Sequence, residues 1–152
     1  MTIAVGSVAA LTDAVGESAV SDWFEITQER IQAFADATED HQWIHVDPAR
    51  AAVGPFGAPI AHGYLTLSLL PRLTAGLLEV GGVGLVVNYG LDRVRFLQPV
   101  PAGSAVRAST RIDTVEPSGA GMRVGMDTTV ELRGQDRPAL AARTVALFFP
   151  AQ

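Results

Sequence analysis

The hydrophobic and polar positions of this chain follow different periods in its two halves. From Met122 to Arg133 they alternate: Met122, Val124, Met126, Thr128, Val130 and Leu132 on one side, Arg123, Gly125, Asp127, Thr129, Glu131 and Arg133 on the other. A period of two is that of a strand with one buried face. Val106, Ala108, Thr110 and Ile112 alternate in the same way with Arg107, Ser109, Arg111 and Asp113. Gly84–Tyr89, Asp92–Leu97 and Leu140–Phe149 complete four or five strands, with turns predicted at Pro99–Gly103, Pro117–Gly121 and Gly134–Pro138. In the first half, Asp22–Ile26 reads as a short strand. Thr27 reads as the N-cap of a helix that carries Ile31, Phe34 and Ala35 on one face and runs to about Ala37. Gly63–Leu78 reads as a helix that is apolar on nearly every side and must be covered by other elements, with a kink or break predicted at Pro71. An antiparallel sheet with one polar face needs cover on the other, and this helix supplies it. The expected fold is therefore α+β, a sheet wrapped around one long helix. Phe56, Leu65, Leu69 and Phe148 are expected in its core.

Between the two helices lies Asp40–Ala61, rich in proline and glycine, with one short helix predicted at Pro48–Ala52 behind an Asp47 cap. Long irregular connections inside a compact domain often carry function. Composition narrows the chemistry that this segment can hold. A length of 152 residues suits a single domain over 1–152, and 48% hydrophobic residues against 18% charged suffice for a core. The net charge of −5 argues against nucleic acid as a partner. The most apolar stretch, Tyr64–Val87, is broken by Pro71, Arg72, Glu79 and several glycines, so no membrane span is expected. Met1–Ala10 lacks the basic start of a secretion signal, and the expected location is cytoplasmic. The chain has no cysteine, and all 11 basic residues are arginine. Thiolate nucleophiles, disulfides, cysteine-held metals and Schiff-base lysines are thereby excluded. His41, His45 and His62 remain as the side chains that titrate near neutrality unaided.

The run Asp40-His41-Gln42-Trp43-Ile44-His45-Val46-Asp47-Pro48, followed by Ala61-His62-Gly63, places a carboxylate and imidazoles at the start of the apolar helix. The first turn of a helix leaves backbone N–H groups free to hold an oxyanion, and a glycine there admits a carbonyl close to the backbone. Taken alone, Asp40 and His45 also fit an ordinary solvated loop pair. His41 and His45, with Asp40 beside them, have the spacing of metal ligands, but Trp43, Ile44 and Val46 favour extended backbone, which would part the two imidazoles.

The same residues resemble the MaoC-like dehydratases, or (R)-specific enoyl-CoA hydratases. Their motif of Asp, four residues, His, five residues and a small residue is matched by Asp40, His45 and Ala51. The Ala61-His62-Gly63 turn, Asn88-Tyr89-Gly90, Val94-Arg95-Phe96, Pro99-Val100 and Gly103 match as well, and Asp40–Pro48 is most similar to the nodulation protein N-like branch. The resemblance covers roughly residues 20–149 and implies a hot-dog fold, a homodimer and an acyl-CoA thioester substrate, with no metal or other cofactor. It also implies syn addition of water to a trans-2-enoyl-CoA, giving a (3R)-3-hydroxyacyl-CoA, or the reverse. Asp40 and His45 would hold and activate the water, and the Gly63 N–H would polarise the thioester carbonyl.

Gln42, His62, Asn88 and Arg95 are the expected substrate-side residues. Of these, His62 would support the turn into the helix, Asn88 would line the channel or sit at an exposed strand end, and Arg95, with Arg93 on the same strand face, would meet the phosphates of coenzyme A or lie solvated on the outer sheet face. The chain departs from the family's Gly-Asp-x-Asn-Pro pattern, with Glu39 before Asp40 and Gln42-Trp43 in place of Asn-Pro. Pro71 stands where some members carry an active-site serine. Two other readings of such a domain are a hot-dog thioesterase and a non-catalytic acyl-CoA or acyl-carrier-protein binding module.

Overall fold

The strands of the second half form in a computed structural model that describes residues 1–152. β1 (Ile3–Val5) is followed by a 3-10 turn at Ala9–Ala14, β2 (Ser18–Val20), β3 (Phe24–Ile26) and α1 (Gln28–Thr38). The connection carries α2 (Trp43–Val46) and α3 (Pro48–Ala52), and the apolar segment carries α4 (Gly63–Ser68) and α5 (Leu70–Thr74). β4 (Leu78–Val80), β5 (Val83–Phe96), β6 (Ser104–Ser118), β7 (Gly121–Leu132) and β8 (Leu140–Pro150) complete the chain.

β2, β6, β7, β8 and β5 lie side by side in that order, with β3 also paired to β6, and every pairing among these six is antiparallel. β1 and β4 make a separate parallel pair. The alternation read from the sequence is the alternation of burial: Val106, Ala108, Thr110 and Ile112 are buried on β6, and Val124, Thr128, Val130 and Leu132 on β7. Thr110 and Thr128 sit opposite one another and their hydroxyls share a 2.8 Å hydrogen bond, which satisfies both inside the core. Leu65, Leu69, Leu70 and Leu73 of α4 and α5 pack on this face against Val106, Val130 and Leu140. A sheet laid over a central apolar helical segment is the expected α+β arrangement.

Four details differ from expectation. The helix expected over Gly63–Leu78 breaks beside Pro71 as predicted, at Leu69, because Pro71 has no N–H to carry the first helix through, but it ends by Thr74 and Leu78 begins β4. Gly84–Tyr89 and Asp92–Leu97 are one strand, β5, whose pairing with β8 slips between Asn88 and Gly90 and again between Leu91 and Arg93. Such slips bend a strand without ending it. Trp43–Val46, expected to be extended, is a single helical turn. Phe56 is half exposed on the connecting loop, whereas Leu65, Leu69 and Phe148 are buried as expected.

Candidate active site

Helix α1 delivers the first residue of the site. Thr27 caps it by accepting a hydrogen bond from the Arg30 N–H at 3.1 Å, and Glu39 ends it in the left-handed conformation, φ 64°. That reversal turns the chain out of the helix at Asp40. The Asp40 carboxylate is half exposed, and its Oδ1 accepts weakly from the Gln42 N–H at 3.4 Å.

His45 follows on α2. The turn exists despite its extended-favouring residues because its backbone is held from several sides. The His45 N–H donates to Gln42 at 3.0 Å, the Gln28 amide of α1 donates to the His45 carbonyl at 2.7 Å, and the Ile60 N–H donates to Ile44 at 3.0 Å. The Asp47 cap is as read from the sequence, its Oδ1 accepting from the Arg50 N–H at 3.0 Å with Pro48 first in α3. Ala51, the small residue of the motif, is buried.

The His45 ring is 6% exposed, and its Nδ1 lies 2.6 Å from the Ile60 carbonyl oxygen. A carbonyl only accepts, so the hydrogen sits on Nδ1 and the neutral ring keeps its lone pair on Nε2. Burial pushes the His45 pKa below its ordinary value, with neighbouring His62 acting in the same direction. The Ile60 hydrogen bond and the Asp40 charge oppose this less strongly. A depressed pKa keeps this imidazole a proton acceptor around neutrality.

His62 lies beneath it, 2% exposed, the two rings stacked at 3.8 Å and 23°. Its Nε2–H donates to the Asp40 backbone carbonyl at 3.0 Å. His62 also caps α4: its carbonyl accepts from Leu65 at 3.0 Å and from Thr66 at 3.2 Å, leaving the N–H groups of Gly63 and Tyr64 without a helical acceptor. A Cβ on Gly63 would stand 3.0 Å from the Phe96 ring, so glycine is what lets that ring lie against the start of α4.

Ligand atoms of Asp40, His45 and His62 thus fall within 4.8 Å of one another. Such a trio invites the thought of a metal. Zinc, however, wants its nitrogens at about 2.0–2.1 Å with lone pairs converging on one point. Lone pairs lie in the ring planes, and two nearly parallel stacked rings send theirs in nearly parallel planes. His45 Nδ1 and His62 Nε2 are already committed to carbonyls. Holding and deprotonating a water suits the arrangement better. His41, the other half of the metal spacing in the sequence, turns away and donates to Asp36 at 2.9 Å, a contact that holds the Asp36 carboxyl below its usual range.

The remaining expected residues are dispersed. Gln42 is exposed beside the turn, its side chain making no hydrogen bond in the chain. Asn88 lines a cleft of about 430 Å³ between the helices and the inner sheet face, where it meets Ser68, Pro71, Leu91, Thr110 and Thr128. Pro71 therefore forms part of the cleft wall. Arg95 is not gathered with Asp40 and His45; it lines a separate polar hollow with Arg93, Asp127 and Arg143. Strand alternation explains this, because the neighbouring Val94 and Phe96 point toward the core and Gly63. Sequence reasoning missed Gln28 and the Ile60 carbonyl, the two groups that fix the His45 turn and ring. A glutamine in a first helical turn and a backbone oxygen carry no sequence signal of such a role.

The chain matches the family described as MaoC like domain over residues 11–133. It is 54% identical over 144 residues to 3-hydroxyacyl-thioester dehydratase Z of Mycobacterium tuberculosis, covering 93% of this chain and 95% of that protein. Nodulation protein N of Rhizobium leguminosarum is 47% identical over 130 residues, covering 84% of this chain and 81% of that protein. In structure the chain resembles the unliganded R-hydratase PhaJ1 of Pseudomonas aeruginosa, with a TM-score of 0.78 at 26% identity, covering 96% of this chain and 86% of that one. The fold is accordingly the hot-dog fold, and with a match over most of its length the chain belongs to the MaoC-like dehydratase family.

Proposed function

We propose that the protein is an (R)-specific enoyl-CoA hydratase, adding water reversibly to a trans-2-enoyl-CoA. The observation that carries this reading is the fixed tautomer of His45. Its Nδ1–H is tied to Ile60, which leaves Nε2 bare in the cluster with the Asp40 carboxylate, while the first N–H groups of α4 have no helical acceptor.

In the forward reaction Asp40 and His45 hold a water over C3 of the enoyl group. As the water oxygen bonds to C3, its proton passes to His45 Nε2, and the C2–C3 π pair moves toward the thioester oxygen. The Gly63 N–H stabilises the resulting enolate, an interaction stronger at the transition state than with the neutral carbonyl. The pair then returns a proton to C2 on the same face, with Asp40 taking part in the transfer. No covalent nucleophile is required, which agrees with a chain lacking cysteine and lysine. The acyl chain would lie in the cleft lined by Asn88 and Pro71.

The chain would act as one domain and as a homodimer joined through β5. This strand pairs with β8 on one side, no strand covers its other edge, and Leu85 and Tyr89 are more than half exposed along it. A long apolar edge left bare is an aggregation hazard unless a second copy covers it.

Incubation with crotonyl-CoA tests the reaction. Loss of enoyl absorbance with (3R)-3-hydroxybutyryl-CoA as the product supports it. Release of free thiol would identify a thioesterase, and tight binding without turnover a binding module; either result overturns the proposal.

A further inference from the structure

Two polar atoms are buried in this protein without any hydrogen-bond partner, Gln28 Oε1 and His62 Nδ1, and both belong to residues that touch the Asp40–His45 turn. Burying an imidazole with one nitrogen unsatisfied is costly, and a smaller apolar side chain would cap α4 as well, since the cap uses only the backbone carbonyl of His62. The His62 side chain spends its contacts elsewhere. One nitrogen holds the Asp40 carbonyl, one ring face lies on His45, and Phe34 of α1 packs against the ring at 4.9 Å.

Resting on the proposed hydratase reading, we propose that His62 is a positioning residue rather than a substrate contact: it locks the carboxylate-bearing turn to the ring of the base, so that Asp40 and His45 keep one mutual geometry. No other side chain bridges the two. Asp40 follows an exposed left-handed turn, and its carboxylate has only the long bond from Gln42. The Asp40 backbone would be free to drift without the Nε2–H bond, and the His45 ring, held at one edge by Ile60, would be free to tilt without the stack. Misplacement of a reacting group by about 1 Å costs on the order of 100-fold in rate.

The charged and titratable groups bearing on His45 are Asp40, from the turn after α1, and His62, at the start of α4; α1 itself offers the neutral Gln28 amide. Replacing His62 therefore also removes one of the two influences that lower the His45 pKa and leaves burial alone in that direction.

The test has one arm that needs neither activity nor a variant. Long-range ¹⁵N NMR of the free wild-type protein should show His45 protonated on Nδ1 and His62 on Nε2. A His62 ring protonated on Nδ1 would break the bond to Asp40 and overturn the proposal. The second arm compares His62→Phe, which keeps a ring for the stack but has no donor, with His62→Gln, which keeps a donor without the ring. In both, kcat for crotonyl-CoA hydration should fall about 10-fold to 100-fold with little change in KM. The acid limb of the rate profile and the NMR midpoint of His45 should both move to higher pH. A purely structural role would lower stability and leave both kcat and KM of the folded variants unchanged. A folded variant of either kind with wild-type kcat overturns the proposal. If the wild-type protein hydrates no enoyl thioester, the functional reading fails instead, and the NMR arm still decides what His62 holds.

Discussion

Burial decides how His45 behaves as a base. An imidazolium loses hydration inside the protein, so the folded chain binds this proton less readily than the unfolded one. The base accordingly stays unprotonated to lower pH, and the acid limb of kcat/KM should lie below the ordinary histidine value of 6.5. By linkage, the unfolded chain takes up the proton first as pH falls, so stability drops through that same window. A limb above 6.5 would contradict this account. Gly63 acts by lacking a side chain. In Gly63→Ala the new Cβ would press on Phe96, which is half exposed and able to swing aside. The fold should survive, because alanine suits a helix better than glycine. Narrowed access to the N–H should lower kcat about 10-fold to 100-fold, as weakening an oxyanion donor does. Unchanged kinetics in that variant would remove Gly63 from the mechanism.

Elements explain what could and could not be read from the chain. α1 and α3 were legible because their caps are local: Thr27 and Asp47 each bond an N–H three residues on. β6 and β7 were legible because one face of each is buried and alternation records it. α2 was not, since its turn is held by Gln28 and by Ile60, 17 and 15 residues from His45. The parallel pairing of three-residue β1 with β4 was equally out of reach, being made between segments 75 residues apart (Ile3 opposite Leu78). The closeness of Asp40 to His45 was legible through the motif, whereas the stack that joins His45 to His62 was not. Glu39 shows a departure from the family pattern acquiring a physical meaning. It occupies a left-handed position, where a side chain costs about 1–2 kcal/mol and glycine fits. Glu39→Gly should therefore gain about 0.5–1 kcal/mol net of glycine's own entropy cost, read as a rise in the urea midpoint without change in kcat. A lower midpoint would show that the Glu39 side chain contributes more than its backbone strain costs.

At the scale of the molecule, the bare edge of β5 and the half-exposed apolar residues along it account for the expected dimer. At about 3.3 Å per residue, its 14 residues span on the order of 46 Å. Leu85→Lys combined with Val87→Lys should convert a dimer to monomer in sedimentation, and a dimer unaffected by both charges would place the interface elsewhere. The central claim is that Asp40 and His45 together activate the water that adds to the enoyl thioester. It is tested most directly by the kcat of Asp40→Asn and His45→Gln in crotonyl-CoA hydration, each verified as folded by circular dichroism. A loss of about 10²–10⁴-fold is expected in either variant. Turnover within a few-fold of wild type in either one would contradict it.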